Sequence, residues 1–393
     1  MPSGVRPKFL RIAHPTTMQF RDLKTQYTTL KSELDAAMQR VAASSAYIMG
    51  PEVKQLEKEL AQYVGVKHCL TCANGTDALT LALKAWGIGP GDAVFVPDFT
   101  FFSSAEVASL EGATPIFVDV EETTFNISPA DLERKIQKVQ AEGRLTPRVV
   151  VAVDLFGLPA PYPEVCRIAH KHGLYVLEDG AQGFGGRIGD KVACSFGDIA
   201  TTSFFPAKPL GCYGDGGAVF TDNDEWAALI ESYRVHGKGS YKYDNVRIGM
   251  NSRLDTLQAA ILQVKLKAFA EHELDAVNAA ARAYTERLSA RFRTPVIPEG
   301  YLSSWAQYTL RLDSQEQRDA LQAALKEQGI PTMVYYPIPM HRQTVYQSLH
   351  QTDSDCPVAT RLSSTVLSLP MHPYLDAATI TQVTEALQKF IEK

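Results

Sequence analysis

The sequence predicts an α/β fold with two domains: a large one built on a mainly parallel sheet, and a smaller C-terminal α+β domain. Three observations predict it. The chain has 393 residues, which at roughly 100–200 residues per domain suits two domains. Short apolar segments alternate with helical segments up to about residue 179, as in βαβ units. A long helical pattern that begins near residue 254 then gives way to mixed segments.

The first half of the chain predicts a leading helix, then four strand–helix units and a fifth strand. The helix begins at Pro51, because Val53, Leu56 and Leu60 share one face, and Gly65 can end it. The predicted strands are 66–72, 93–96, 115–118, 149–153 and 174–177. Ligands of such sheets gather at the carboxyl ends of the strands, so the functional site is expected there.

The second half predicts a long helix and a separate mixed region. Apolar residues recur at helical spacing over 254–264, and helical composition continues toward residue 292. A strand over 308–312, a capped helix over 313–329 and an extended run over 334–337 follow. The large domain is therefore predicted over 18–270 and the small domain over 271–393. Residues 1–17 are predicted to be a leader or a disordered extension, because the structured pattern begins only at Met18.

Composition excludes several classes of protein. Apolar residues make up 45% and charged residues 21%, so neither a disordered chain nor a fibrous repeat fits. The net charge of −5 does not suit a nucleic-acid surface, and no apolar run is long enough to span a membrane. The first 17 residues contain no apolar core of a secretion signal. A cytoplasmic protein with reduced cysteines is therefore expected.

Known short motifs for metals and nucleotides do not account for the chain. Cys69 and Cys72 form a Cys-x-x-Cys pair, but the other cysteines supply no second pair at zinc-site spacing, so no metal site is predicted. Redox chemistry at Cys72 is a minor alternative to two small buried residues at a strand end. The glycine-rich stretch 183–189 does not match Gly-x-Gly-x-x-Gly, and no P-loop motif occurs.

Two segments at predicted strand ends carry groups that suit a phosphorylated ring. Gly75 and Thr76 open a helix, where backbone N–H groups and the threonine hydroxyl could bind a phosphate monoester, although a plain helix cap explains the same residues. Asp179 could keep a pyridine nitrogen protonated, which makes the ring an electron sink, and Gln182 could bond the ring hydroxyl. A strand-end turn with a capping aspartate is the alternative.

A third segment, 203–217, places one lysine in an apolar, glycine-rich stretch. Burial of Lys208 would favour the neutral amine, which attacks a carbonyl to form a Schiff base. Ser203 could add a phosphate contact, and the glycines would let the backbone approach a flat ring closely; they are Gly211, Gly214, Gly216 and Gly217. A surface lysine on a loop is the alternative, but loops are rarely so apolar.

A fourth segment, 249–255, precedes the long helix. Asn251 offers an amide to an anion, and Arg253 offers a planar fork to a carboxylate or phosphate. The four segments together suit one ligand, a phosphate-bearing pyridine aldehyde.

These segments resemble the DegT/StrS family of pyridoxal-phosphate-dependent sugar-nucleotide aminotransferases. The resemblance runs from about Met18 to the C-terminus and includes the stretches 20–27, 49–52 and 74–76. Its most specific part is Ser203-x-x-x-x-Lys208 followed by the glycine-rich stretch 214–217. The resemblance implies an aspartate aminotransferase-like fold, pyridoxal 5′-phosphate as cofactor, and a homodimer with two composite active sites.

The resemblance also implies a role for each site residue. Lys208 is expected to be the catalytic residue, which binds the cofactor covalently and then moves a proton. Asp179 pairs with the pyridine nitrogen, and Phe101, rather than Phe102, stacks on the ring. The expected cofactor-binding residues are Gly75, Thr76, Phe101, Asp179, Gln182, Ser203, Lys208 and, from the neighbouring subunit, Asn251.

The substrate expectation comes from the same resemblance. The 204–213 stretch is most similar to members that aminate the 3-keto group of UDP-N-acetylhexuronic acids, with L-glutamate as donor, in cell-surface polysaccharide precursor synthesis. Arg253 would pair in turn with the uronate and the donor carboxylate. The other expected substrate contacts are His236, Lys238 and Lys242 on the 234–243 loop, with Tyr336 and His341 from the small domain.

Three alternatives stay open at this point. One is an aminotransferase for 4-keto sugar nucleotides. Another is a deoxygenating relative that uses the same cofactor without a Schiff-base lysine, against which the presence of Lys208 argues. The third is a regulator that binds the cofactor with weak or no catalysis.

Overall fold

The structure, a computed structural model, describes residues 18–241 and 243–392. The predicted leader over 1–17 lies outside the described residues, as does Lys242. The helices are α1 (Leu23–Ser44), α2 (Pro51–Val64), α3 (Gly75–Ala85), α4 (Ser103–Leu110), α5 (Pro129–Glu142), α6 (Tyr162–Lys171), α7 (Asp224–Tyr233), α8 (Thr256–Ala268), α9 (Leu274–Leu288), α10 (Gln315–Glu327), α11 (Pro357–Thr365) and α12 (Ala377–Ile391). The strands are β1 (His68–Cys72), β2 (Asp92–Pro97), β3 (Thr114–Val118), β4 (Thr146–Val153), β5 (Tyr175–Asp179), β6 (Arg187–Ile188), β7 (Lys191–Val192), β8 (Ile199–Ser203), β9 (Gly217–Thr221), β10 (Tyr301–Leu302), β11 (Tyr308–Arg311) and β12 (Val366–Leu369).

A seven-stranded sheet forms the centre of the large domain, with strand order β1-β9-β8-β5-β4-β2-β3. Strands β8, β5, β4, β2 and β3 pair in parallel, whereas β9 runs antiparallel to both β1 and β8. The predicted α/β class with a mainly parallel sheet is confirmed. The reversed strand β9 follows directly from the lysine segment, which turns the chain back after β8.

Strand β4 shows why this sheet is covered on both faces. Its residues 149–153 are Val-Val-Val-Ala-Val, and all five are buried. Val149, Val151 and Val153 belong to one apolar core, while Val150 and Ala152 belong to the core on the opposite face. A strand with alternate residues in two cores reads as a continuous apolar run, as parallel strands between two helical layers do.

The second region is joined to the first by one long helical segment. Helix α8, a π-helical turn over Phe269–Glu273 and helix α9 follow one another without a loop. The predicted domain boundary after residue 270 falls inside this segment, and the domain assignment stays a prediction. One apolar core contains Leu60 and Leu262 together with Leu310 and Leu387, so the two regions share a core. In the small region β11 and β12 form an antiparallel pair.

The predicted extended run over 334–337 is not a strand. Met333 makes an isolated antiparallel bridge to Ser368, after which the chain becomes irregular. Pro337 and Pro339 lack the N–H groups that a ladder needs, so pairing cannot continue. Two residues of this segment, Tyr335 and Tyr336, instead line a cleft at the carboxyl ends of the central strands.

The Cys-x-x-Cys pair is structural. Cys69 and Cys72 lie three residues apart in β1, so they point to opposite faces and belong to different apolar cores. Both are free thiols, and burial raises the pKa of Cys72 to about 12, which disfavours the reactive thiolate. The interpretation as buried strand residues therefore describes the pair.

Within the described residues, no helix combines the length and apolarity needed to cross a bilayer. The same part of the chain contains no group of three or more His, Cys, Asp or Glu side chains arranged to hold a metal ion.

Candidate active site

A cleft of about 490 Å³ opens at the carboxyl ends of the central strands. Strand β4 ends there at Val153, β5 at Asp179 and β8 at Ser203. The first turn of α3, the segment before α4 and the 335–336 segment form the other walls. Of the predicted site residues, the cleft brings together Gly75, Thr76, Phe101, Asp179, Gln182, Ser203, Lys208 and Tyr336.

One end of the cleft is built to receive an anion. Asn74 caps α3, since its Oδ1 accepts the Asp77 N–H at 2.8 Å, and the first-turn amides of the helix face the cleft region. The Thr76 hydroxyl lies 2.9 Å from that of Ser103. A Cβ on Gly75 would lie only 2.7 Å from the Cβ of Ser203, so glycine is what allows the serine this close. Helix amides and hydroxyls together suit a phosphate monoester.

The carboxylate of Asp179 lies on the floor of the cleft. Its Oδ2 accepts a hydrogen bond of 2.7 Å from the Ser104 hydroxyl, and its Oδ1 accepts one of 3.2 Å from the Ala181 N–H. Burial raises the pKa of Asp179, while Ser104, the charge of Lys208 and the Ala181 amide oppose this rise. A buried carboxylate of this kind gains most from a cationic partner, such as a protonated ring nitrogen.

The amine of Lys208 reaches the same cleft from the turn after β8. Its backbone N–H bonds to the Phe205 carbonyl at 2.9 Å, which closes the turn. Burial lowers the pKa of Lys208; Asp179 opposes this, and the charge of Arg21 lowers the pKa further. The neutral amine, which is the nucleophilic form, is therefore favoured relative to an exposed lysine.

Two aromatic side chains and one amide shape the space between these ends. Gln182 is held at both ends of its amide: its Oε1 accepts the Phe156 N–H at 2.8 Å, and its Nε2 donates to the Tyr336 hydroxyl at 3.0 Å. The Phe101 ring is 52% exposed at the cleft, with its centroid 6.1 Å from that of Tyr336. Phe102 packs on Tyr346 instead, which favours Phe101 as the stacking residue.

The glycines around Lys208 are needed for packing within the chain. A Cβ on Gly211 would lie 2.5 Å from the Pro206 carbonyl oxygen, and one on Gly217 would lie 2.5 Å from that of Asn74. On Gly216 it would lie 2.9 Å from Leu254. Close approach of this backbone to a ring stays a prediction.

Four of the predicted residues lie outside the cleft of their own chain. Asn251 and Arg253 belong to the segment before α8, where Asn251 is exposed and bridges Val235. His236 and Lys238 are exposed on the preceding loop. Their predicted roles require a second copy of the chain.

The structure does not place His341 in the cleft. Its Nδ1 lies 2.6 Å from Asp98 and its Nε2 2.9 Å from Asp353, so both ring nitrogens are occupied, and the side chain is 2% exposed. Burial lowers the pKa of His341, but the two carboxylates outweigh burial and raise it. Through its hydrogen bond to Asp98, the histidine connects the 340–342 turn to the end of β2. Its predicted substrate contact does not occur in this arrangement, because no ring nitrogen is left for a ligand.

Sequence reasoning missed three residues that bear on the site. Ser103 and Ser104 support Thr76 and Asp179, and Arg21 bonds the backbone of Lys208. Serines that follow aromatic residues are no distinctive signal. Arg21 lies in the opening stretch of the family resemblance, but nothing in the sequence relates it to a residue 187 positions away.

A pair of buried carboxyl groups lies behind Asp179. Asp154 is fully buried, and its Oδ1 accepts hydrogen bonds from the Tyr162 hydroxyl at 2.8 Å and the Ala160 N–H at 3.0 Å. Its Oδ2 has no hydrogen-bond partner among the described residues. Glu178 accepts three backbone N–H groups, and burial raises its pKa to about 7. Burial and the charge of Glu178 raise the pKa of Asp154 well above its usual range, which favours the protonated carboxyl group.

The Asp154→Asn variant is expected to be more stable than the native protein near neutral pH. A carboxyl group with a raised folded-state pKa costs nothing below its unfolded value of about 3.9, and its penalty grows as the pH rises toward the folded-state pKa. The amide keeps the shape and never ionises. Thermal unfolding midpoints should therefore coincide near pH 4 and separate toward pH 8.

Asp353→Asn is the matched control, because Arg342 and His341 lower the pKa of Asp353. That variant should be less stable than the native protein by an amount that stays constant above the unfolded-state pKa of about 3.9, where the benefit of the lowered pKa is complete, and that shrinks only below it. A pH-independent difference between Asp154→Asn and the native protein would show that Asp154 is not protonated.

A helix end suited to a phosphate, a buried acid on the floor and a partly buried lysine meet in one cleft, which is the arrangement of a pyridoxal-phosphate-dependent enzyme. Comparison with known families takes the assignment further. The chain belongs to the DegT/DnrJ/EryC1/StrS aminotransferase family, whose sequence profile matches residues 28–388. It is an aminotransferase, and pyridoxal 5′-phosphate is its cofactor.

Individual relatives agree with this assignment. The chain is 44% identical to a UDP-2-acetamido-2-deoxy-3-oxo-D-glucuronate aminotransferase of Pseudomonas aeruginosa. The alignment spans 372 residues and covers 94% of this chain and 99% of the P. aeruginosa enzyme. It is 39% identical to a UDP-N-acetyl-3-dehydro-α-D-glucosamine 3-aminotransferase of Acidithiobacillus ferrooxidans, over 95% and 98% of the two chains. A crystal structure of a family aminotransferase from Brucella abortus superposes with a TM-score of 0.93 at 47% identity, over 96% of this chain and all of that one.

Proposed function

We propose that the enzyme transfers an amino group from L-glutamate to the 3-keto group of a UDP-linked N-acetylhexuronic acid, as a step in cell-surface polysaccharide precursor synthesis. The observation that carries the transamination is the meeting of Lys208 and Asp179 in one cleft. The substrate class is supported by the 44% identity with the P. aeruginosa aminotransferase, which is named for a UDP-linked 3-oxo uronate. A cytoplasmic location stays a prediction.

Some residues of the cleft are proposed to bind the cofactor, and Lys208 is proposed to transfer a proton as well. When bound, the cofactor supplies a carbonyl that takes up an amino group and a ring that withdraws electrons from the reacting carbon. Lys208 would hold it covalently through Nζ and would use the same atom to move a proton. Asp179 would keep the ring nitrogen protonated, while Thr76 and Ser203 would bind the phosphate. Phe101 would cover the ring and exclude water.

The active unit is proposed to be a homodimer with composite sites. Within one chain, three side chains predicted to bind the substrate, Arg253, Lys238 and His236, are outside the cleft. They belong to a stretch that also exposes large apolar side chains, with Ile248 90% and Tyr241 63% exposed. A second copy covering this surface would bury the apolar residues and bring these three polar side chains to its neighbour's cleft.

Mixed dimers of two inactive variants test the composite site. Lys208→Ala and Arg253→Ala are each expected to be inactive, and co-expression should restore about a quarter of native activity. The reason is that random pairing makes half of the dimers mixed, and each mixed dimer has one intact site. The measurement is the release of 2-oxoglutarate by the whole co-expressed population; mixed dimers purified through two different affinity tags should instead show about half of native activity, because one of their two sites is intact.

Co-expression of Lys208→Ala with Asp179→Asn is the control, because both residues lie in the cleft of the same chain, and it should restore only a trace of activity. Restoration in the control, or none in the first pair, would contradict sites shared between subunits.

A substrate screen tests the proposed reaction. Nucleotide-linked 3-keto sugars are generated in the assay by a dehydrogenase, with and without a carboxylate on the sugar, beside a 4-keto 6-deoxy sugar nucleotide. Release of 2-oxoglutarate from L-glutamate should be fastest with the 3-keto uronate, and NMR of the product should place the amino group on C3. Turnover with the 4-keto sugar alone would overturn the proposed substrate and leave the assignment as an aminotransferase intact.

A further inference from the structure

Arg21 makes a direct hydrogen bond to the main chain of Lys208. Its guanidinium Nη2 donates to the Lys208 carbonyl oxygen at 2.9 Å, across 187 residues of sequence. The N–H of Lys208 already bonds to the Phe205 carbonyl. The peptide units on both sides of the lysine are therefore held, one by the turn itself and one by Arg21. Arg21 is not among the residues that line the cleft, so it contacts the lysine-bearing turn from outside the cleft.

The guanidinium of Arg21 is partly buried, so its positive charge loses part of its solvation free energy. Burial lowers the pKa of Arg21 to about 10, and the nearby Glu273 and Tyr374 oppose this, so the guanidinium stays charged at neutral pH. Glu273 is itself 3% exposed and accepts hydrogen bonds from Gln26 Nε2, at 3.0 and 3.2 Å, and from the Tyr374 hydroxyl. A charge removed from water is costly unless an opposite charge lies near it, and the charge of Glu273 acts on Arg21 in this way.

The other ionisable groups around Arg21 respond to the same charge. Burial lowers the pKa of Lys265 to about 8; Glu273 opposes this, and Arg21 adds to it. Burial, with a contribution from Arg21, lowers the pKa of His372 to about 4, while Asp22 acts in the opposite direction. The charge of Arg21 thus acts on Lys265 of helix α8 and on His372 of the C-terminal region, as well as on Lys208.

We propose that Arg21 is a positioning residue for Lys208, which holds the lysine-bearing turn from outside the cleft and places a permanent positive charge near the lysine amine. The proposal rests on the assignment of Lys208 as the cofactor-bearing residue. Its consequence is that the neutral form of the amine is favoured and the side chain is aimed at the cofactor site before the cofactor arrives. Asp179, the opposing charge on the cleft floor, acts in the other direction, so the two set the state of the amine together.

Labelling of the cofactor-free protein tests the proposal without any need for activity. The rate at which a small amine acylating reagent modifies Lys208 is measured by peptide mass spectrometry from pH 6 to 11. In Arg21→Gln the neutral fraction of Lys208 at pH 7.5 should fall by about threefold to tenfold, because a nearby positive charge is lost. Arg21→Lys keeps the charge and should retain most of the native titration curve.

Arg148→Gln is the matched control, since Arg148 also donates to a main-chain carbonyl, that of Trp86, far from the cleft. It should leave the Lys208 titration unchanged. An unchanged titration in folded Arg21→Gln would overturn the positioning role alone. If Lys208 of the native protein titrates like an exposed lysine and takes up no cofactor, the assignment of Lys208 itself fails, which is a separate result.

Discussion

Replacement of Lys208 by alanine is expected to abolish covalent cofactor attachment and to lower transamination by at least about 10²–10⁴-fold, the range that a positioned general base contributes. Both attachment and turnover should be lost because the same amine attaches the cofactor and moves the proton. The variant should bind the cofactor only reversibly, through the helix end and Asp179. Visible absorption after gel filtration measures attachment, and release of 2-oxoglutarate from L-glutamate measures turnover.

Two further variants make this result specific. Lys208→Arg keeps a long cationic side chain but cannot attach to the cofactor, so it should behave like the alanine variant. Lys138→Ala removes an exposed lysine on α5 and should change neither measurement. Attachment and turnover that persist in both Lys208 variants would refute the assignment of this residue.

Asp179→Asn is expected to lower turnover by about 10²-fold or more while the cofactor remains attached to Lys208. The amide keeps the size of the side chain and can still bond Ser104, but it cannot stabilise a proton on the ring nitrogen. Loss of the carboxylate also removes the one charge that raises the pKa of Lys208, so the amine should become easier to deprotonate. Single-turnover kinetics with L-glutamate, together with amine labelling of the cofactor-free protein, measure the two effects.

Asp77→Asn is the control for Asp179→Asn, because Asp77 lies in the first turn of α3 and is not part of the cleft lining. It should keep native kinetics. Full activity in Asp179→Asn, with a folded protein and bound cofactor, would mean that the ring nitrogen needs no carboxylate partner here.

Much of the fold follows from local patterns in the chain. The strand cores of β2, β3 and β4, the helix that starts at Pro51 and ends before Gly65, and the Ser314-capped helix α10 lie where periodicity and capping residues predict them. The reversal of β9 is not a local property. It depends on the lysine-bearing turn packing on the start of α3, where Gly217 meets Asn74 across 143 positions of sequence (217 minus 74).

The cofactor end of the site was accessible to sequence reasoning because each part is a short, continuous segment at a strand or helix end. Thr76, Asp179 and Lys208 all reach one cleft as expected. The supporting interactions were not accessible, since they join distant residues whose types are common. Ser104 lies 75 positions from Asp179, and only the folded chain brings their side chains within 2.7 Å.

His341 illustrates the limit of a residue type as a signal. A histidine after a Tyr-Tyr-Pro segment suggested a substrate contact, but Asp98 and Asp353 occupy both of its ring nitrogens. Neither aspartate has a sequence pattern that relates it to position 341. Asn251 and Arg253 illustrate the opposite case, because their proposed role depends on a surface of a second copy.

Borohydride reduction of the cofactor-loaded protein, followed by peptide mass mapping, tests the central claim most directly. Reduction should turn the bound cofactor into a permanent adduct on the peptide that contains Lys208. The peptide with Lys265, another buried lysine whose pKa is lowered, should remain unmodified. An adduct on Lys265, or none on any lysine of a protein saturated with cofactor, would contradict the account.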